Sequence, residues 1–151
     1  MASDRTPIPH PLPLRAWCEA LAATLPVQHI APRGVPYLDR YFISGYSPYR
    51  FQRPAPQASL YLHHFLSSDP QDEVHSHPWG WAASLLLVGG YREYRCEGDA
   101  ITAREFRPGA INVLQPDTRH RVELLEADGW SLVLVGPYAQ PWAFFAECAD
   151  G

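Results

Sequence analysis

Basic runs are missing from this 151-residue chain, whose formal charge is −4. A phosphate-backbone partner would require a basic face that releases counterions, so no nucleic acid is expected as a partner. Long apolar runs are missing too. None approaches the roughly 20 residues that cross a bilayer, and no membrane partner is expected. The opening residues, MASDRTPIPHPLPL, carry early charge and four prolines where a secretory signal needs an unbroken apolar stretch. Cysteine is scarce: Cys18, Cys96 and Cys148 stand at wide, irregular spacings without a CxxC pair. An odd number so placed suits reduced thiols better than a disulfide framework and, with the opening residues, leads to the expectation of a cytoplasmic protein. The nucleophile elbow GxSxG and the phosphate loops GxGxxG and GxxxxGKS/T are also absent, which turns the reading away from serine acyl transfer and nucleotide binding. No repeat or low-complexity segment interrupts the chain.

What the chain has in excess is punctuation, with 16 prolines, 10 glycines and an aromatic content of 13%. Proline and glycine separate elements rather than fill them, and the aromatic and β-branched runs between them favour strands. The length suits one domain, because two halves would each have too small a core. Residues 1–13 read as a proline-rich arm. Leu14, Trp17, Leu21 and Leu25 are spaced for one face of a helix that Pro26 ends, packed on the outside of a sheet. Residues 31–57 read as an irregular cover or edge-strand region, with a short strand possible at Tyr41 to Ile43. From Ser59 onward strands and turns alternate: SLYLHHFL, VHSHPW, AASLLLVGGYREYRC with a bend at Gly89-Gly90, AITAREF, AINVL, RHRVELL and WSLVLVG. WAFF near the end is a final edge strand or a packed tail. About eight closely spaced strands without intervening helices predict an antiparallel sandwich or barrel over residues 59–151, with residues 1–58 packed on it.

His75 and His77 are two apart, so on a strand both imidazoles project from one face. His120 follows a turn and opens another apolar strand. Three neutral imidazoles meeting at one point suit zinc, iron, nickel or copper and leave positions open for water, substrate or dioxygen. The competing reading places His75-Ser76-His77 in a surface turn, unrelated to His120. Asp72 and Glu73 are turn residues or partners of the histidines. By alternation Tyr61, His63 and Phe65 share one face of their strand, and Leu60, Leu62, His64 and Leu66 the other. His63 with Tyr61 is then a candidate to line the cavity, against a hydrogen-bonded structural role. Ser84 shares the face of Ala82 and is a candidate to point toward the metal. Arg121 faces away from His120. Tyr138 and Trp142 are candidates to close one mouth. An anionic substrate would want an arginine, for which Arg92, Arg50 and Arg53 are the candidates.

His75-Ser76-His77, then Gly89, then Arg107-Pro108-Gly109, Pro116 and His120 resemble the two motifs of the cupins over about residues 59–136. The run from His75 to Tyr91, with RPG and PxxxHRVEL behind it, is similar to small bacterial and phage-associated members. The resemblance implies a jelly-roll β-barrel, all-β apart from the N-terminal helix, with one divalent metal on His75, His77 and His120. Where the first motif would carry a glutamate this chain has Trp81, Ala82 and Ala83, so the implied site has three histidines and no carboxylate. That set resembles thiol, diketone and gentisate dioxygenases, which favours Fe(II) and a small anionic thiol or enolisable substrate, with Tyr61, His63 or Ser84 orienting it or dioxygen. A lyase, isomerase or hydrolase on Zn, Ni or Mn, or a non-catalytic binding module, are the alternatives on the same scaffold. A homodimer formed through the N-terminal arm or an edge strand is also a candidate.

Overall fold

Short alternating runs between turns become β-strands in the computed structural model, which describes residues 13–45, 58–71, 73–146 and 148. The elements in chain order are α1 (Leu14–Ala22), β1 (Val27–Ile30), β2 (Leu38–Phe42), β3 (Ser59–Phe65), β4 (Val74–His75), β5 (Ala82–Val88), β6 (Tyr91–Glu97), β7 (Ala100–Phe106), β8 (Ile111–Leu114), β9 (His120–Leu124), β10 (Gly129–Val135) and β11 (Phe144–Phe145). They build a six-stranded sheet in the order β1-β2-β3-β10-β5-β8 and a five-stranded sheet in the order β11-β4-β9-β6-β7. Every strand pairing is antiparallel. The fold is the expected all-β jelly-roll barrel with one short helix.

The interior between the sheets is filled by alternate residues of each strand. Phe42, Tyr61, Ala82, Leu114, Val133 and Val135 form one buried cluster, with Leu86, Tyr91, Phe106 and Val122 forming another. A third cluster lies on the outer side of the larger sheet, where Cys18 and Ala22 of α1 cover Leu62 and Trp130. The helix packs outside the sheet as its amphipathic pattern predicts, but it ends at Ala22 and is rotated. Leu14 and Trp17 are exposed, and Cys18 and Ala22 face inward. The rotation follows from Arg15, whose guanidinium grips both oxygens of Asp128 at 2.7 and 2.8 Å.

A hairpin leads from the helix into the cover segment, with β1 lying before residue 31 and β2 overlapping the short strand expected at Tyr41 to Ile43. β1 and β2 pair from Val27↔Tyr41 to Ile30↔Leu38, and β2 continues into the sheet by pairing with β3. VQHI is too short and too mixed to announce a strand, and pairing with β2 makes it one. The run AASLLLVGGYREYRC divides at its two glycines, since β5 lies in the larger sheet and β6 in the smaller. Gly89 makes that corner with φ +76°, and a Cβ there would run into the carbonyl oxygen of Asp128.

The expectation of three reduced thiols is corrected. Cys96, at the end of β6, is disulfide-bonded to Cys148 across 52 residues, leaving Cys18 free and buried. Spacing in the chain could not reveal this pair. It forms because the tail after β10 returns along the smaller sheet, where β11 pairs with β4. The disulfide also removes the argument for a cytoplasmic location that the cysteine spacing had supplied. Among the described residues no helix is long and apolar enough to cross a membrane.

Two outcomes are expected from this packing. Hydrogen bonds from Arg15, and then from His64, outweigh burial and hold the Asp128 carboxyl down at about 2 against an ordinary 3.8. A depressed carboxylate pKa contributes stability above its unfolded value and loses it as pH falls toward its folded value. Arg15→Ala should therefore lower the unfolding free energy at neutral pH by about 1 kcal/mol, allowing for solvent screening at half-exposed Arg15. The difference from wild type should close between about pH 4 and pH 2 in denaturant titrations. Gly89→Ala should be worse at every pH, by roughly 2–4 kcal/mol, from the positive φ and the backbone clash together.

Candidate metal centre

His75 ends β4 and lies directly across from His120, the first residue of β9. His77 follows two residues on, after the backbone N–H of Ser76 has bonded to Ala143 O at 3.0 Å. Alternation and this cross-strand pairing bring the three rings together. Ring centroids stand 5.0 Å apart for His75 and His77, 4.8 Å for His75 and His120, and 5.1 Å for His77 and His120. One nitrogen from each lies within 4.8 Å of the other two, the grouping that a single ion needs.

The surroundings prepare these nitrogens as ligands. Burial, and secondarily the charge of His120, pushes His75 down to about 3. Burial and then His120 and His75 push His77 well below the ordinary imidazole value. Both rings are therefore neutral across the physiological range, the form in which imidazole binds a metal. Behind His120, its Nδ1 stands 2.6 Å from Glu93 Oε1. Burial would push the Glu93 carboxyl up, but hydrogen bonds from His120, Asn112 and Arg95 together hold it at about 2. An ionised carboxylate can only accept, so His120 Nδ1 carries a proton and its Nε2 is the nitrogen turned toward the cluster. On the other flank, Nδ1 of His75 is 3.8 Å from Asp69 Oδ2, which also accepts the backbone N–H of Val122 at 2.7 Å.

His77 Nε2 and His120 Nε2 are 2.9 Å apart. Two nitrogens bound at about 2.1 Å and subtending about a right angle would be separated by about 3.0 Å, so the pair has the spacing of adjacent ligands on one ion. The residues fit a divalent metal.

The cluster opens into two adjoining chambers of about 70 and 60 Å³, which share Tyr37, His63, Phe65, His75, His77 and Trp79. Trp142 and Arg40 complete the outer chamber, with Ser84, Tyr91 and His120 at the rear of the inner one. His63 thus lines the cavity beside the histidine cluster, and Ser84 lines it at the back. Tyr61 points to the same side but lies one layer away, its ring packed 5.9 Å from His63 and 6.2 Å from Trp79. His64 turns outward, stacked 4.0 Å from Trp130. Trp142 stands 6.2 Å from His75, while Tyr138 bridges to Trp79 through the backbone and lines neither chamber.

Of the arginine candidates, Arg92 is corrected. Arg92 lies on the outer face of β6, bonded to Glu105 at 2.7 Å, because its strand position is offset by one from the inward-facing Glu93. Arg50, Arg53 and Asp72 lie outside the described residues. Among the described residues, the arginine that lines the cavity is Arg40, whose Nε donates to His63 Nε2 at 3.0 Å. Burial and the charge of Arg40 push His63 well down, so it is neutral and accepts. Sequence reasoning missed Arg40 and Glu93 alike. The available signal was a charge at i±2 from core residues: Arg40 between Leu38 and Phe42, and Glu93 two residues after Tyr91. Arg121 faces away from the cluster as predicted, with its guanidinium 3.7 Å above the Tyr94 ring.

Neither a protein-family model nor a curated protein sequence matches the chain. Solved structures do. The iron(II) form of HppE superposes with a TM-score of 0.57 at 11% identity, covering 76% of this chain and 57% of that one. KdgF from a Halomonas species gives 0.52 at 17% identity, covering 76% and 89%. A conserved protein with a double-stranded β-helix domain from Klebsiella pneumoniae gives 0.51 at 14% identity, covering 72% and 84%. The chain therefore spans just over half the length of HppE, and at these identities the likeness is one of fold. The chain thus has the double-stranded β-helix fold, with three histidines gathered inside its barrel.

Proposed function

We propose that His75, His77 and His120 hold one divalent metal ion, iron(II) in preference to zinc, nickel or manganese, and that the protein is a non-haem iron dioxygenase acting on a small anionic metabolite. The observation that carries this reading is the buried cluster of three imidazoles, with two Nε2 atoms 2.9 Å apart, facing a cavity. A three-nitrogen set of this kind leaves further coordination positions open and keeps the full charge of the ion, which suits an anionic donor such as a thiolate or enolate. HppE, a relative by fold, has been crystallised with iron(II) and with its substrate. Bound here, ferrous iron would supply a Lewis-acidic, redox-active centre with room for substrate and dioxygen.

The protein's own groups do the rest. Glu93 keeps the proton of His120 on Nδ1 and so fixes which nitrogen faces the ion. Trp79, Phe65 and Trp142 wall the chambers with apolar surface and limit water at the centre. His63 holds Arg40 in place from within the cavity, Tyr61 supports the guanidinium from one side, and Ser84 offers a hydroxyl at the rear. Chambers of about 70 and 60 Å³ restrict the substrate to a few heavy atoms, since larger ligands occupy several hundred.

Elemental analysis of untagged protein beside a His75→Ala/His120→Ala variant tests the proposal. Near-stoichiometric iron in the wild type, lost in the variant, with oxygen uptake on adding small thiols or diketones, is the expected result. Stoichiometric zinc, nickel or manganese with turnover that persists without oxygen would replace it with lyase or isomerase chemistry. No metal bound by either protein, even after reconstitution, would sink it. Glu93→Gln should keep all three ligands yet weaken metal affinity roughly 10- to 100-fold in a competitive chelator titration.

A further inference from the structure

Arg40 brings a positive charge into the cavity, and no acidic group among the described residues forms an ion pair with it. Its Nε is used by His63, and its guanidinium carbon lies 5.1 Å from the centre of the Tyr61 ring and 5.2 Å from that of Trp79. These contacts occupy one donor and the flat faces of the group. The Nη edge, with four N–H donors, meets no acceptor among the described residues. Burial lowers the pKa of Arg40 to about 10, which leaves it charged at neutral pH. A desolvated cation without a counter-ion is unfavourable, and a bidentate anion relieves it with both charge and geometry.

We infer that Arg40 is the seat for the carboxylate of the substrate, and that the substrate is a short monocarboxylic acid with a second donor atom on a neighbouring carbon that reaches the three histidines. This rests on the proposed function only in taking the cavity as the substrate site. The outer chamber, about 70 Å³, is lined by Arg40, His75 and His77 together, so a short molecule seated on the guanidinium also faces the histidines. One guanidinium matches one negative charge; a doubly charged phosphate would leave an excess charge among the rings of Tyr37, Phe65, Trp79 and Trp142. The planar fork also fits a planar carboxylate better than a single ammonium would.

The probes are glycolate and its neutral amide, glycolamide, titrated calorimetrically into metal-free protein and separately into protein loaded with Co(II). Metal-free protein reads the anion seat alone. The wild type is expected to prefer glycolate roughly 10- to 100-fold, the range for hydrogen bonds to a charged group. Arg40→Gln should erase that preference, and Arg40→Lys should restore only part of it. Equal binding of acid and amide by the wild type, or no binding of either, would overturn the seat without needing any variant to fold. So would an undiminished preference in Arg40→Gln. Co(II) uptake, followed by its visible absorption, reports on the histidines independently, so loss of the seat with cobalt still bound leaves the metal reading standing, and the reverse result separates the two in the other direction.

Discussion

The hydrogen bond between His120 Nδ1 and Glu93, 2.6 Å long, is the contact on which the centre depends. Glu93 is 2% exposed, and a carboxylate so buried stays ionised only when its oxygens are well supplied with donors. His120, Asn112 and Arg95 supply them at 2.6, 2.9 and 3.0 Å. Asn112 also donates to Tyr91 Oη at 3.2 Å, so the network reaches from β8 in the larger sheet to β6 and β9 in the smaller. The two sheets are thus joined at the back of the cavity by the same group that orients the third histidine. Loosening the barrel there would leave His120 free to choose the wrong tautomer.

Charge is distributed unevenly about the histidines. Glu93 and Asp69 stand behind the rings, and Arg40 stands in front of them at the outer chamber. The carboxylates strengthen the imidazoles as donors, while the guanidinium draws an anion toward the same point from the other side. The neutral rings of His75 and His77 between these poles avoid repelling an arriving cation. Burial, the largest cause of the low His75 and His77 values, also shields the arrangement from screening by salt.

The C-terminal stretch closes the picture. Gln140 Nε2 donates to the carbonyl of His77 at 3.0 Å, Phe144 pairs with His75 across β11 and β4, and Trp142 forms part of the outer chamber. Arg119 lies 4.0 Å above the Phe145 ring and bonds to Cys148 O at 3.3 Å. The disulfide to Cys96 then ties this stretch to β6, the strand that also carries Glu93. A tail only lightly paired by two residues of β11 is in this way held against the metal-facing strands by covalent and aromatic contacts.

Much of this was legible from local pattern. Turn residues divided the chain into strands, and the i, i+2 rule placed His75 with His77 and His63 with Tyr61 on common faces. Each of these rests on geometry within a few residues. Where an element took its identity from a partner, local pattern was silent: VQHI became a strand only against β2, α1 turned on its axis to satisfy Arg15 and Asp128, and Cys96 found Cys148 only through the returning tail. Arg40 and Glu93 escaped notice because a charged residue in a strand is ordinarily on the wet face, and only a completed barrel shows which face is dry. The sequence by itself determined the periodicity of the strands and the candidate ligands, because alternation is a local property of the backbone. Only the tertiary structure decided that Glu93 meets His120 and Arg40 meets His63, because these contacts join residues 27 and 23 positions apart and depend on strand register and sheet order.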